Sequence, residues 1–138
     1  MSGRNRRLWY EWQKLQEALS GRTDIRCSVL LTNTQGLPVR YNVDYYIRSI
    51  CGVTDVDQLG EPGVSNTPLY AEHFRMQIDL PDNYPCVDGA PVFRFLTEDE
   101  NGQPIAHPWH PNIRYCGRFA GRVCINMADT YTDLIWGV

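Results

Sequence analysis

The chain has 138 residues, 43% of them hydrophobic, and a net charge of −3. That is the size of one domain with enough apolar content for a core, so residues 1–138 are read as a single domain. No run approaches the ~18 apolar residues of a membrane helix, and the basic start (Arg4, Arg6, Arg7) lacks the apolar stretch of a secretory signal. The expected location is therefore the cytoplasm, with neither a membrane nor a nucleic-acid partner. Five cysteines, an odd number, stand at positions 27, 51, 86, 116 and 124 with no C-x-x-C pair. This argues against a disulfide framework and against a standard zinc site, so no metal and no cofactor is expected.

Residues 4–20 read as a helix. Leu8, Trp12, Leu15 and Leu19 make one apolar stripe, and Ser20-Gly21 is a stop signal. The other face, with Arg4, Arg7, Glu11 and Lys14, reads as solvated. Residues 1–26 hold six basic and three acidic groups, against seven and thirteen in the remainder. A basic end on an acidic body suits an acidic partner or a plain solvated helix face, and charge pattern alone does not decide between them.

Ile25 to Thr32 is a strand, and Asn33-Thr34-Gln35-Gly36 a turn. Val39, Tyr41, Val43, Tyr45 and Ile47 alternate with Arg40, Asn42, Asp44, Tyr46 and Arg48. That is the period of a strand buried on one face only, with its aromatic residues serving packing rather than binding. Gly52 to Tyr70 is polar and reads as one long surface loop. His73 to Leu80 is a third strand, Pro81 to Pro85 a turn, Pro91 to Thr97 a fourth strand, and Glu98 to Gly102 an acidic turn. A helix followed by four strands with short turns implies an α+β domain, the helix packed on a four-stranded antiparallel meander.

After these strands comes the stretch His107 to Asn126, HPWHPNIRYCGRFAGRVCIN. Its two His-Pro pairs stiffen the chain away from helix, and Gly117 and Gly121 loosen it before Val123-Cys124-Ile125. An amide at Asn112, followed across a loop by a cysteine, suggests thiol chemistry with a fixed hydrogen-bond donor.

His110-Pro111-Asn112-Ile113 followed by Gly121-Arg122-Val123-Cys124-Ile125 resembles the active-site signature of the ubiquitin-conjugating enzymes. Upstream, Phe74, Ile78, Pro81, Tyr84-Pro85 and Pro91 match that family's F-x-x-x-I-x-x-P-x-x-Y-P…P pattern in order. The resemblance spans most of the chain and is most specific in its second half. It implies the ubiquitin-conjugating fold, with the active-site loop after the fourth strand. It also implies that Cys124 takes a ubiquitin-like protein as a thioester from an activating enzyme and passes it to a lysine of a protein substrate. Two departures stand out. From Asn112 to Cys124 is twelve positions, longer than in most members, so the loop carries an insertion. The family's C-terminal helices are expected to be missing or truncated, since the sequence stops at Val138 where members usually continue. These departures look more like bacterial relatives, whose conjugation genes include antiphage defence systems.

The resemblance makes Cys124 the nucleophile and Asn112 the oxyanion donor or loop anchor. His110, Pro111, Tyr84 and Pro85 become structural supports, and Arg6, Arg7 and Lys14 contacts for the activating enzyme. Without it, Cys124 reads as a small buried hydrophobe and Asn112 as a turn residue. Asn126 stands where members often have Asp or Ser, and an amide cannot act as a base. Asp129 or Asp133 would have to assist the incoming amine. Arg114, Arg118 and Arg122 recur every fourth residue, either favouring the Cys124 thiolate by their field or lying solvated. His107 receives no role. Cys116, inside the insertion, is a redox partner of Cys124 or irrelevant to it. A zinc set of Cys116, Cys124, His107 and His110 fits no closed-site spacing. Lys14 is the sole lysine beside twelve arginines. That reads foremost as an arginine-rich genome, and secondarily as avoidance of self-modification. The rival class is a binding or scaffold module of the same fold that forms no thioester.

Overall fold

The computed structural model describes residues 2–86 and 91–109. Helix α1 runs Gly3–Leu19. The Ser2 hydroxyl caps it by accepting from the Asn5 amide at 3.1 Å, which satisfies one of the free N–H groups of the first turn. At the other end Gly21 adopts φ +77°, a conformation that ends the helix without a Cβ clash. Leu8 is fully buried, and Trp12 stacks on Tyr41 with ring centroids 5.6 Å apart. Leu15 packs beside them, so the apolar stripe of the helix is its core face.

Two strands follow, β1 (Ile25–Thr32) and β2 (Pro38–Tyr45). Their antiparallel pairing sets Cys27 opposite Val43 and Val29 opposite Tyr41. The Asn33 carboxamide oxygen accepts from the Gln35 and Leu37 amides, both at 3.0 Å, and so fixes the intervening turn. Strand β2 then pairs with β5 (Phe74–Asp79), and β5 with β6 (Val92–Phe95). The sheet order is β1-β2-β5-β6, an antiparallel meander with α1 against it. This is the α+β arrangement expected from the sequence. Its core is built from Leu8, Val39, Tyr41, Leu80 and Tyr84.

Two expectations are corrected. Gly52 to Tyr70 is not one loop. Between β2 and β5 the chain forms a hairpin, β3 (Ser49–Val53) paired with β4 (Pro68–Ala71), which makes a second, two-stranded sheet. Its tip is held by Asn66, whose amide donates to the Thr54 and Asp55 carbonyls at 2.9 and 3.1 Å. The Thr54 hydroxyl ties the same two flanks, accepting from the Thr67 amide and donating to the Ser65 carbonyl. Strand β2 ends at Tyr45, and the Tyr46 amide adds one more bond in the same register, to the Asp24 carbonyl at 2.7 Å.

The second correction concerns β2, which is buried on both faces. Asn42 and Asp44 are only 9% and 8% exposed. Asp44 lies 2.7 Å from the His73 ring and 2.8 Å from Arg75 Nε. Arg75 also reaches Glu100 at 2.6 Å. Polar side chains of neighbouring strands and of the turn after β6 therefore cover what alternation assigns to solvent.

Candidate active site

Of the residues that carry the thioester reading, Tyr84 and Pro85 fall within the described part. Cys124, Asn112, His110, Pro111, Arg122 and Asn126 lie outside the described residues. So do Arg114, Arg118, Cys116, Asp129, Asp133 and the C-terminal stretch where a truncation of the family's helices is expected. What the structure does describe is the set of elements that lead to this segment.

The first is the turn Pro81 to Cys86. It closes through the Tyr84 amide on the Pro81 carbonyl at 2.9 Å and the Cys86 amide on the Asn83 carbonyl at 2.8 Å, and the Tyr84-Pro85 bond is cis. Tyr84 is buried in the core. Its hydroxyl accepts from Arg7 Nε at 3.4 Å and donates to the Glu11 carboxylate at 3.1 Å, while Arg7 and Glu11 pair directly at 2.6 Å. Burial pushes the Tyr84 phenol up, the Arg7 hydrogen bond opposing and the Glu11 charge adding to it. Burial works against the Arg7 charge, yet its bonds to Tyr84 and Glu11 prevail and hold it above the ordinary value. Arg4 adds a bond to the Pro81 carbonyl at 3.2 Å.

Three of the four charged helix residues read as solvated thus serve to clamp α1 onto this turn. Each does so across some seventy positions of sequence, which helix periodicity cannot reveal. The proposed partner contacts divide the same way. Arg6 and Lys14 are exposed, Lys14 pairing loosely with Glu17 at 3.5 Å. The Arg7 guanidinium is largely covered and turned inward.

The second element is the chain that follows β6. The Leu96 amide donates to the Arg75 carbonyl at 2.8 Å, and Ile105 returns to Thr97 at 2.9 Å. Between them the Asp99 carboxylate accepts from the Asn101 and Gln103 amides at 2.9 Å, so the acidic turn is organised by one of its own acids. His107 is half-buried, with Nδ1 3.4 Å from the Pro108 carbonyl. The Trp109 amide then donates to the Ile50 carbonyl of β3 at 2.9 Å. The β3–β4 hairpin, unforeseen in the sequence, is therefore what anchors the chain one residue before His110.

Among the described residues no group of three or more His, Cys, Asp or Glu side chains could hold a metal ion, and no helix is long and apolar enough to cross a membrane. Of the four side chains in the zinc set, His107 is the one described. The thiols of Cys27 and Cys51 are half-buried and that of Cys86 is exposed. Burial, aided by the nearby Asp44 charge, raises the Cys27 thiol to about 11, which keeps it protonated and unreactive near neutral pH.

The fold defined here is a helix on a four-stranded antiparallel meander with an added hairpin. Among solved structures it is similar to the crystal structure of ubiquitin conjugating enzyme E2 from Plasmodium falciparum. That match has a TM-score of 0.48 and 19% identity, and covers 88% of this chain and 75% of the other. It is also similar to the structure of human ubiquitin-conjugating enzyme E2 G1, with a TM-score of 0.45 and 19% identity over 88% of this chain and 70% of the other. No family model and no curated protein matches the chain.

Proposed function

We propose that this protein is a ubiquitin-conjugating-type acyltransferase. The observation that carries the proposal is one of order. The upstream pattern (Phe74, Ile78, Pro81, Tyr84-Pro85, Pro91), then His110-Pro111-Asn112, then Cys124 follow one another in the sequence of a chain whose described part is a helix on a four-stranded meander. Within that pattern Phe74 opens β5 as a buried residue, and Tyr84 fills the core beneath α1. These are the positions of supports rather than of chemistry.

In the proposed reaction the Cys124 thiolate attacks the thioester carbonyl on an activating enzyme. A new C–S bond forms and the donor thiolate leaves. An amine of the acceptor protein, typically a lysine, then attacks the Cys124 thioester. Its C–N bond forms, the Cys124 thiolate departs, and the amine's proton is lost to solvent or to a carboxylate such as Asp129 or Asp133. The Asn112 amide donates to the tetrahedral oxyanion of this second step. Removing one such donor typically lowers the rate by about 10²–10³. Arg122 favours the thiolate, His110 and Pro111 hold the loop, and Asn126 lines the acceptor side. Arg6 and Lys14 contact the activating enzyme.

The test is a thioester assay with the cognate activating enzyme, ATP and ubiquitin-like protein, with products separated with and without reductant. A reductant-labile adduct is expected. Cys124→Ala should abolish it, and Cys124→Ser should convert it to an ester that reductant leaves intact. A charged activating enzyme that transfers nothing to the chain would overturn the proposal and leave a binding module of the same fold. An adduct retained in Cys124→Ala but lost in Cys116→Ala would move the nucleophile to Cys116.

A further inference from the structure

The tyrosines of β2 and the residues after it do not share one fate. Tyr41 is core, but Tyr46 is 47% exposed, and so is Tyr70 of β4 at 50%. Each has a guanidinium over its ring, Arg26 at 5.2 Å from the Tyr46 centroid and Arg48 at 4.4 Å from that of Tyr70. The Tyr46 ring is itself fixed by stacking on His73, with centroids 4.7 Å apart and planes within 8°. His73 is in turn held by Asp44 at 2.7 Å. Ile47, between the two sites in sequence, is exposed as well.

We infer that Arg26, Tyr46, Ile47, Arg48, Tyr70 and His73 form a docking surface for an extended acidic segment of a partner protein. A guanidinium lying on an aromatic face is oriented before binding, and its N–H edge remains available to fork onto a carboxylate. Arg26 makes no ion pair among the described residues. The pair of Arg48 with Glu72 is long, at 3.9 Å, and exposed on both sides. Replacing it by a better-placed carboxylate costs little. Tyr46 and Arg48 are two residues apart, at most ~7 Å along the chain. An extended segment repeats side chains on one face at a similar ~6.6 Å. The segment is expected to place one carboxylate on Arg26 over Tyr46 and another on Arg48 over Tyr70, with an apolar side chain between them. Exposed Tyr and Arg in one strip are also the residue types that dominate binding energy at interfaces.

A nucleic acid is the less fitting ligand. The strip offers two guanidinium groups with Glu72 and Asp24 beside them, which suits a few spaced carboxylates and not the unbroken phosphate run of a nucleic-acid backbone. The inference uses none of the residues assigned to the thioester chemistry and holds whether or not a thioester forms.

The test is fluorescence anisotropy on the full chain with a fluorescein-labelled peptide, Gly-Glu-Val-Glu-Val-Glu-Gly. Its Gln counterpart and a fluorescein-labelled oligothymidylate serve as comparison probes. The Glu peptide should bind at least about tenfold more tightly than the Gln peptide and than the oligothymidylate. The Arg26→Gln/Arg48→Gln double variant, with circular dichroism unchanged, should lower that affinity about tenfold or more. The Arg26→Lys/Arg48→Lys variant, which keeps the charge but loses the planar fork, should fall between. Equal binding of the Glu and Gln peptides, tighter binding of the oligothymidylate, or full affinity in either double variant would overturn the inference. So would no binding of the Glu peptide at about millimolar protein.

Discussion

The two faces of β2 are buried to a similar degree by opposite means. Toward α1, Val39 and Tyr41 are covered by apolar side chains, among them Leu8 and Trp12. Away from it, Asp44 is covered by the His73 ring and the Arg75 guanidinium. The first face is non-directional and tolerant of swaps that keep volume. The second depends on each partner being present, because an ion stranded in a low-dielectric site is costly. Burial alone therefore does not say how a position will respond to change.

The largest effect should come from the apolar face. Leu8→Ala opens a cavity beside Tyr41 and should cost about 2–5 kcal/mol in urea-unfolding experiments. A loss under about 1 kcal/mol would mean that α1 is held mainly by its Arg4, Arg7 and Glu11 contacts. Next, Asp44→Ala strips Arg75 and His73 of their shared carboxylate. The expected loss is about 2–4 kcal/mol, below the range for a deeply buried pair because His73 is one-third exposed. Replacing Asp44, His73 and Arg75 together by apolar residues of similar volume should recover much of it. Failure to recover would show that the network orients β5 rather than merely neutralising itself.

Tyr84→Phe, keeping the ring and removing the hydroxyl shared by Arg7 and Glu11, should cost about 1 kcal/mol by the same measurement. The smallest change concerns Cys27, which faces the apolar side. Its raised thiol favours the protonated form in the folded chain, so its contribution to stability is complete below pH 9. That contribution fades as the pH rises toward 11, where the folded thiol also ionises. Mass spectrometry after iodoacetamide treatment at neutral pH should find exposed Cys86 alkylated well before Cys27. Equal rates would mean that the apolar face opens readily.

The sequence disclosed the apolar face and concealed the other. Residues 25–32 were legible as a strand because β-branched and apolar residues run together. The meander followed from four such runs with Gly, Asn and Pro between them. Asn42 and Asp44 alternate with apolar neighbours just as solvent-facing residues do. For Asp44, only the tertiary pairing with His73 and Arg75, some thirty positions away, shows the covering. The β3–β4 hairpin was hidden for a local reason. Pro68, Gly52 and a bulge between Ile50 and Gly52 break the period-2 signal that marks a strand. The candidate site is legible in a different sense. His110, Asn112 and Cys124 stand out by their order and by resemblance, not by periodicity.

The way the β3–β4 hairpin is tied has a consequence for how such a chain can vary. Its base is fixed to the approach of the candidate site through Ile50 and Trp109, while Thr54 and Asn66 close the tip upon itself. The dozen or so residues between them therefore behave as an interchangeable cassette. Length and sequence can be exchanged there without displacing the anchor, and closing a shorter or longer loop alters the free energy only by about 0.6 kcal/mol per doubling. Diversification is expected to accumulate at this tip while Ile50 and its surroundings stay fixed.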